Sequence, residues 1–314
     1  MLPSQLSSGD VIADRRADYA KMLAESGEPA SAAELMEQAL ELAPRWAAGW
    51  FTLATYREKA GDVSGAIAAL NEVLTLDAGD VFGARLKLAV LGGAEVPDRP
   101  PSLYVERLFD DYADRFESSL VEKLGYSVPG KLAALIAETA GATKHFRLAV
   151  DLGCGTGLLG PEIRARVDRL EGYDLSKGML AKAAEKHVYD HLGQADLSLE
   201  PDLSGVFDGE LAASRADLVT AADVLMYLGD LQGVMAIVRK LSVDGAIFAF
   251  SVEDAQQPDG YVLRDSLRFA HSEAYVREIL AGHGFTVLDL TRSIIRMDGG
   301  KPVHGILFIT RKSA

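Results

Sequence analysis

Two hydrophobic periods divide the chain. Between Tyr104 and Leu124 the apolar residues Val105, Leu108, Phe109, Tyr112, Phe116, Leu120 and Leu124 recur at three- and four-residue steps, the spacing of one face of a helix. Pro129 then restarts a second helix through Lys131 to Ala140. From Arg147 the pattern changes to short apolar runs separated by loops and helical stretches. Leu148 to Leu152, Leu170 to Asp174, Asp217 to Ala221 and Ala246 to Phe250 read as strands, and Leu180 to Lys186, Leu231 to Leu241 and Ala274 to Ala281 as helices. Alternation of this kind implies a parallel sheet covered on both faces. Phe285 to Met297, a turn at Asp298 to Pro302, and Val303 to Thr310 read as an antiparallel pair at the sheet edge.

The N-terminal third carries an internal period of about 34 residues. Ala20 aligns with Ala54, Gly27 with Gly61, Ala32 with Ala66, Leu40 with Leu74 and Leu42 with Leu76. Small residues fall where two antiparallel helices must approach closely, and the glycines fall at the turn between them. Trp50, Leu53, Ala54, Gly61, Ala66, Leu70 and Val73 resemble the tetratricopeptide pattern, with Arg57 in place of the usual aromatic. The first unit has Arg16 where the tryptophan is expected but keeps Pro44 at the closing turn. Val81 to Leu91 reads as a lone helix, a cap or half of a third unit. Two units and a cap bury little surface, so the array is expected to lean on the rest of the chain. Gly92 to Ser102, with Gly92, Gly93, Pro97, Pro100 and Pro101, has the turn residues of a linker. The expected organisation is a helical repeat domain over 1–91, a linker over 92–102 and an α/β domain over 103–314.

Composition narrows the functional classes. A chain of 314 residues, 48% hydrophobic and 25% charged, forms globular domains, and its length favours two. A net charge of -14 and a pI near 4.9, with no Lys/Arg-rich run, argue against nucleic acid and anionic lipid as partners. Cys154 is the single cysteine, which rules out an intramolecular disulfide and an all-cysteine metal site. The first thirty residues lack the apolar core of a signal peptide, and no run is long enough to span a membrane, so a cytoplasmic protein is expected. His145, His187, His191, His283 and His304 have no metal-ligand spacing, and no metal is assigned.

The strongest chemical signal is Ala149-Val150-Asp151-Leu152-Gly153-Cys154-Gly155-Thr156-Gly157, a buried strand entering a glycine-rich turn. Side chains at such a turn would keep a ligand away from the backbone. The dinucleotide fingerprint is Gly-x-Gly-x-x-Gly, whereas these glycines alternate, and Asp151 at the strand end suits a ligand carrying an ammonium and a sulfonium better than a pyrophosphate. That spacing argues against a nicotinamide-dependent oxidoreductase.

Asp151 through Gly157 resembles the first motif of class I S-adenosylmethionine-dependent methyltransferases. Gly172-Tyr173-Asp174, Gln194-Ala195-Asp196-Leu197, Ala216-Asp217-Leu218-Val219 and Ala222-Asp223-Val224-Leu225 follow in that family's order. Leu108 to Ala113, Val224 to Leu231 and Phe269 to Ser272 resemble, more narrowly, bacterial methyltransferases bearing tetratricopeptide repeats. The resemblance implies a Rossmann-like doubly wound seven-stranded sheet with an antiparallel C-terminal edge hairpin, preceded by a small all-α domain. It implies S-adenosyl-L-methionine as cofactor and S-adenosyl-L-homocysteine as product. The implied cofactor residues are Tyr112, Asp151, Gly153, Cys154, Gly155, Thr156, Gly157, Asp174, Leu175, Met179, Ala195, Asp196, Leu197, Ala222 and Asp223. Within that set, Asp174 would accept hydrogen bonds from the ribose and Asp196 would contact the adenine.

Several of these residues carry a plainer reading as well. Asp174 also suits the cap of a helix beginning near Gly178, Cys154 is explained by packing, and the Phe109 and Tyr112 stripe is either core or a cover for the cofactor. His271 and Tyr227 are the candidate catalytic residues, with Arg264 and Arg268 beside them on the acceptor side, because they follow strands four and five where this fold opens its crevice. The expected reaction is in-line methyl transfer to a small-molecule or protein acceptor, with a peptide or protein partner on the repeat groove. The alternative is an interaction adaptor whose Rossmann-like domain holds cofactor without turnover.

Overall fold

The computed structural model describes residues 7–117, 125–209 and 212–313. The chain divides into two compact units, Met1–Arg107 and Leu108–Ala314.

Unit one contains helices α1 (Val11–Glu25), α2 (Pro29–Leu42), α3 (Ala47–Lys59), α4 (Val63–Leu76) and α5 (Ala84–Val90). Asp10 caps α1 by accepting from Ile12 N and Ala13 N at 2.8 and 2.9 Å, and Asp62 caps α4 by accepting from Gly65 N at 2.9 Å. The 34-residue period is physical. Gly27 and Gly61 end α1 and α3 at φ of 85° and 83°, a left-handed conformation that penalises a Cβ. Ala20, Ala32, Ala54 and Ala66 are all buried between helices. The last pair is different, since Leu42 is exposed. Arg57, standing where an aromatic is usual, reaches Glu37 on α2 at 2.6 Å and Gly65 O on α4 at 2.9 Å, so hydrogen bonds replace ring packing. The helix expected from Val81 begins instead at Ala84, because the buried Asp80 carboxylate accepts from Ala84 N at 2.6 Å and from Arg85 N at 3.1 Å.

Helix α6 (Ser102–Asp110) crosses the boundary between the units. The unbroken helix expected from Tyr104 to Leu124 is not observed: α6 stops at Asp110, and a short 3₁₀ turn follows over Ala113–Arg115. Two consecutive aspartates are poor helix formers, and the Asp110 carboxylate is drawn off to Ser176 Oγ and Gly178 N. Leu120 and Leu124 lie outside the described residues.

Unit two is built on seven strands, β1 (Phe146–Leu152), β2 (Val167–Asp174), β3 (His191–Gln194), β4 (Ala216–Ala221), β5 (Ser242–Glu253), β8 (Phe285–Asp298) and β9 (Lys301–Lys312), in the order β3-β2-β1-β4-β5-β9-β8. The first five pair in parallel, while β9 runs antiparallel to both β5 and β8. A separate ribbon, β6 (Tyr261–Leu263) with β7 (Phe269–His271), follows β5 in the chain; its three-residue strands are too short to leave a legible period. The doubly wound sheet with an antiparallel edge hairpin is thus the one expected.

Alternation along the strands divides the core. Phe248 and Phe250 join Val150, Val219 and Phe308 under α10 (Gln232–Leu241) and α11 (Glu273–Gly282). Ile247 and Ala249 join Ala149, Leu218 and Ile309 under α7 (Val128–Ala140) and α8 (Gly160–Ile163). The strand order reverses between β1 and β4, so a crevice opens at the carboxyl ends of these strands.

Two substitutions test this packing. Phe250 has no exposed surface and stacks on Phe248 at 4.4 Å and on Phe308 at 5.0 Å; Phe250→Ala is expected to lower unfolding free energy by about 3–5 kcal/mol in urea titrations. A loss below about 1 kcal/mol would contradict a close-packed face. Glu171 is buried in β2 and paired with Arg215 at 3.0 Å, and the half-exposed Arg169 and the Tyr173 hydroxyl also reach it. Arg215→Met should therefore cost about 3 kcal/mol by leaving a buried carboxylate underpaired, and an unchanged denaturation midpoint would count against it.

Candidate functional site

At the end of β1 the chain bends through Gly153, Gly155 and Gly157, all left-handed with φ of 66°, 55° and 81°. Their surroundings differ. A Cβ on Gly153 would lie 2.3 Å from Val224 Cγ2, and one on Gly157 would meet Tyr189 at 2.9 Å. A Cβ on Gly155 would meet nothing within 4 Å. Two glycines therefore let the protein close on itself, and only Gly155 presents bare backbone to open space. Between them, Cys154 N donates to Tyr173 O at 2.9 Å, prolonging the β1/β2 pairing. Burial raises the Cys154 thiol well above its ordinary range, so it is neutral, and Thr156 is buried as well.

Asp174 stands at the end of β2 beside this bend. Its two oxygens accept from Gly155 N and Ser176 N, each at 2.9 Å. Burial pushes its pKa up to about 6 against the pull of these donors. Helix α9 (Lys177–Glu185) is capped by Ser176, whose Oγ accepts from Met179 N at 3.0 Å, so the capping role weighed for Asp174 belongs to Ser176. Leu175 is half-buried and Met179 buried at this helix start.

Asp151 was expected to face a ligand cation. Instead its carboxylate, 1% exposed, accepts from Thr220 Oγ1 and Tyr189 Oη, each at 2.8 Å, under the bend. Burial raises its pKa to about 6, opposed by those two hydroxyls. Tyr189, held protonated by burial and by Asp151, is a supporting residue with no motif to announce it.

Farther out, β3 stops at Gln194, so the segment Gln194 to Leu197 straddles a strand end and a loop. Ala195 N donates to Asp174 O at 2.9 Å, tying the two strand ends together, and Ala195 and Leu197 are buried. Asp196 is half-buried and accepts from Ser198 N and Ser198 Oγ at 2.9 and 2.6 Å.

The flank before β1 supplies aromatic rings. Phe109 meets Tyr227 edge-on at 5.1 Å and Phe116 at 6.3 Å, and Tyr112 meets Phe116 at 5.6 Å. Asp110, which accepts from Gly178 N at 3.0 Å, docks this flank on α9. Beyond β4, Ala222 is half-buried, and Asp223, expected among the cofactor residues, is held by an arginine. Both its oxygens accept from Arg296 Nη1, at 2.8 and 2.7 Å, and its backbone is left-handed at φ 58°.

His271 has no exposed surface. Its Nε2 donates to Leu228 O at 2.9 Å and Gly229 O at 3.0 Å, and burial lowers its pKa to about 4, so the ring is neutral with the proton on Nε2. Arg264 and Arg268 share a cavity of about 450 Å³ with Glu253, Asp254, Asp298 and His304, and neither His271 nor Tyr227 lines it. Arg268 pairs there with Glu253 at 3.0 Å and with Asp298. Among the described residues no group of His, Cys, Asp and Glu is arranged to hold a metal ion, and no helix is long and apolar enough to cross a membrane.

Comparison with known proteins adds independent findings. Human methyltransferase-like protein 27 is 31% identical over 119 residues, 37% of this chain and 47% of that protein, so the match spans about half the length of this curated relative. The [4+2]-cyclase SpnF has 15% identity and a TM-score of 0.51, covering 68% of this chain and 97% of that one. An S-adenosylmethionine-dependent methyltransferase from Clostridium acetobutylicum has 15% identity and a TM-score of 0.48, covering 66% and 100%. The fold is thus shared with a cyclase, and fold by itself does not decide the reaction. Residues 150–248, from the end of β1 into β5, match the family model described as a methyltransferase domain.

Proposed function

We propose that this chain transfers a methyl group from S-adenosyl-L-methionine to a small-molecule or protein acceptor, with the catalytic domain over 103–314. The observation that carries this reading is the open backbone at Gly155 next to the Asp174 carboxylate, at the point where the strand order reverses. A cofactor bearing ribose hydroxyls and positive charge fits there. Asp174 keeps lone pairs beyond the two backbone donors it already accepts, and a Cβ at Gly155 would fill the cradle. The match of residues 150–248 to the methyltransferase-domain model is independent support.

When bound, the cofactor supplies a methyl group already activated on a sulfonium. The chain's own residues bind, orient and exclude water. Asp174 accepts from the ribose, Leu175 and Met179 back it at the start of α9, and the Ala195 to Leu197 segment walls the adenine, with Asp196 on its exocyclic amine. Phe109, Tyr112 and Phe116 with Tyr227 form an aromatic cover. Tyr227 is kept on the acceptor side. His271, sealed and neutral, holds the loop after β4 through Leu228 O and Gly229 O in place of acting as a base. The helices of the 34-residue period are read as a tetratricopeptide-like pair offering a peptide or protein surface. The lone buried, protonated thiol suits a reducing compartment such as the cytoplasm.

The test is calorimetric titration with S-adenosyl-L-homocysteine. Asp174→Ala should weaken binding by about a hundredfold, from loss of charge-assisted hydrogen bonds at a half-buried carboxylate; unchanged affinity would remove the proposal. The carboxylate is the binding form and its pKa lies near 6. Affinity should therefore be flat above pH 7 and fall by up to about tenfold per pH unit below 6, a slope that Asp174→Asn abolishes. Gly155→Ala and Gly153→Ala should both lose binding, yet only Gly153→Ala, which collides with Val224, should also lose more than about 2 kcal/mol of stability. Equal destabilisation by the two would contradict the division of roles.

A further inference from the structure

We infer that Arg296 is a positioning residue for the cofactor site, holding the turn after β4 against the glycine bend from the C-terminal hairpin. This rests on the cofactor reading above and adds a residue that no site motif contains.

Four observations converge. Asp223 is left-handed without being glycine, a conformation that persists where surrounding contacts enforce it. Those contacts are Arg296 Nη1 on both its carboxylate oxygens, at 2.8 and 2.7 Å, and Ser251 Oγ on its amide at 2.9 Å. The next residue, Val224, fills the space over Gly153, so the position of this turn fixes how the bend can lie. Finally, β8 slips register between Ile294 and Arg296, and Ile295 and Arg296 are consecutive yet both buried, which breaks the strand's alternation. A bulge of this kind re-aims a side chain, and here it turns a guanidinium inward.

The identity of the residue follows from its task. One arm of Arg296 takes Asp223 while Nη2 takes Glu253 at the end of β5, and Glu253 in turn pairs with Arg268 at 3.0 Å. A planar fork can bridge two carboxylates on different strands, whereas a lysine ammonium reaches one well. The clamp thus ties the ends of β4, β5 and β8 together just behind Gly153, and through Gly153 acts on the Gly155 amide and Asp174.

The experiment is calorimetry with S-adenosyl-L-homocysteine on the full chain and on Arg296→Lys, Asp223→Asn and the double variant, with thermal unfolding of each. Asparagine tolerates the left-handed backbone, so Asp223→Asn removes the ion pair while sparing the turn. Each single variant should bind about tenfold more weakly, and the double variant no more weakly than the worse single one, because both break one interaction. Arg215→Met, which breaks a buried ion pair elsewhere in the sheet, should lose thermal stability but bind as wild type does. The inference is overturned if both single variants bind within about twofold of wild type, if their losses multiply, or if Arg215→Met weakens binding equally. Absence of heat from wild type itself would overturn the cofactor reading, and the clamp's role with it, an outcome distinct from normal binding by the variants.

Discussion

Close approach of backbone at the end of β1 is the constraint on which the rest of this unit turns. Within five residues the chain must leave the sheet, clear Val224 on one side and Tyr189 on the other, and still hold one amide toward the neighbouring strand end. At Gly153 and Gly157, with φ of 66° and 81°, only glycine meets these demands without side-chain collision. Gly153 and Gly157 satisfy the protein's own packing, and open space lies over Gly155.

Buried charge surrounds this bend, and each carboxylate is accommodated differently. Asp151 is solvated by two hydroxyls, Glu171 by arginines and a phenol, and Asp223 and Glu253 by the Arg296 fork. Asp174 is met chiefly by backbone amides and keeps acceptor capacity, which the proposed reading assigns to a ligand. In the proposed reading that contrast separates a binding group from supporting ones, which identity alone does not, since all are Asp or Glu at or near strand ends.

Much of this architecture is written locally. Strands buried on both faces appear as continuous apolar runs, and alternating glycines after Asp151 mark the bend. The 34-residue spacing of Gly27 and Gly61 marks paired helix ends. What stayed illegible is set by contacts between distant segments. Asp151 and Asp223 have the residue type of ligand groups, yet their partners Tyr189, Thr220 and Arg296 lie 38, 69 and 73 positions away. The apolar stripe from Tyr104 continues past Asp110, but helix α6 ends there, its last carboxylate turned to the start of α9. His271 sits in the right part of the fold for a base and is instead closed off by two carbonyls.

The central claim is that the open amide at Gly155 and the carboxylate of Asp174 together cradle a nucleoside. A crystal structure grown with S-adenosyl-L-homocysteine tests it most directly. The account predicts ribose hydroxyl oxygens within hydrogen-bond distance of the Asp174 carboxylate, with the ligand passing over Gly155. A ligand seated elsewhere, with Asp174 still met only by Gly155 and Ser176, would contradict it.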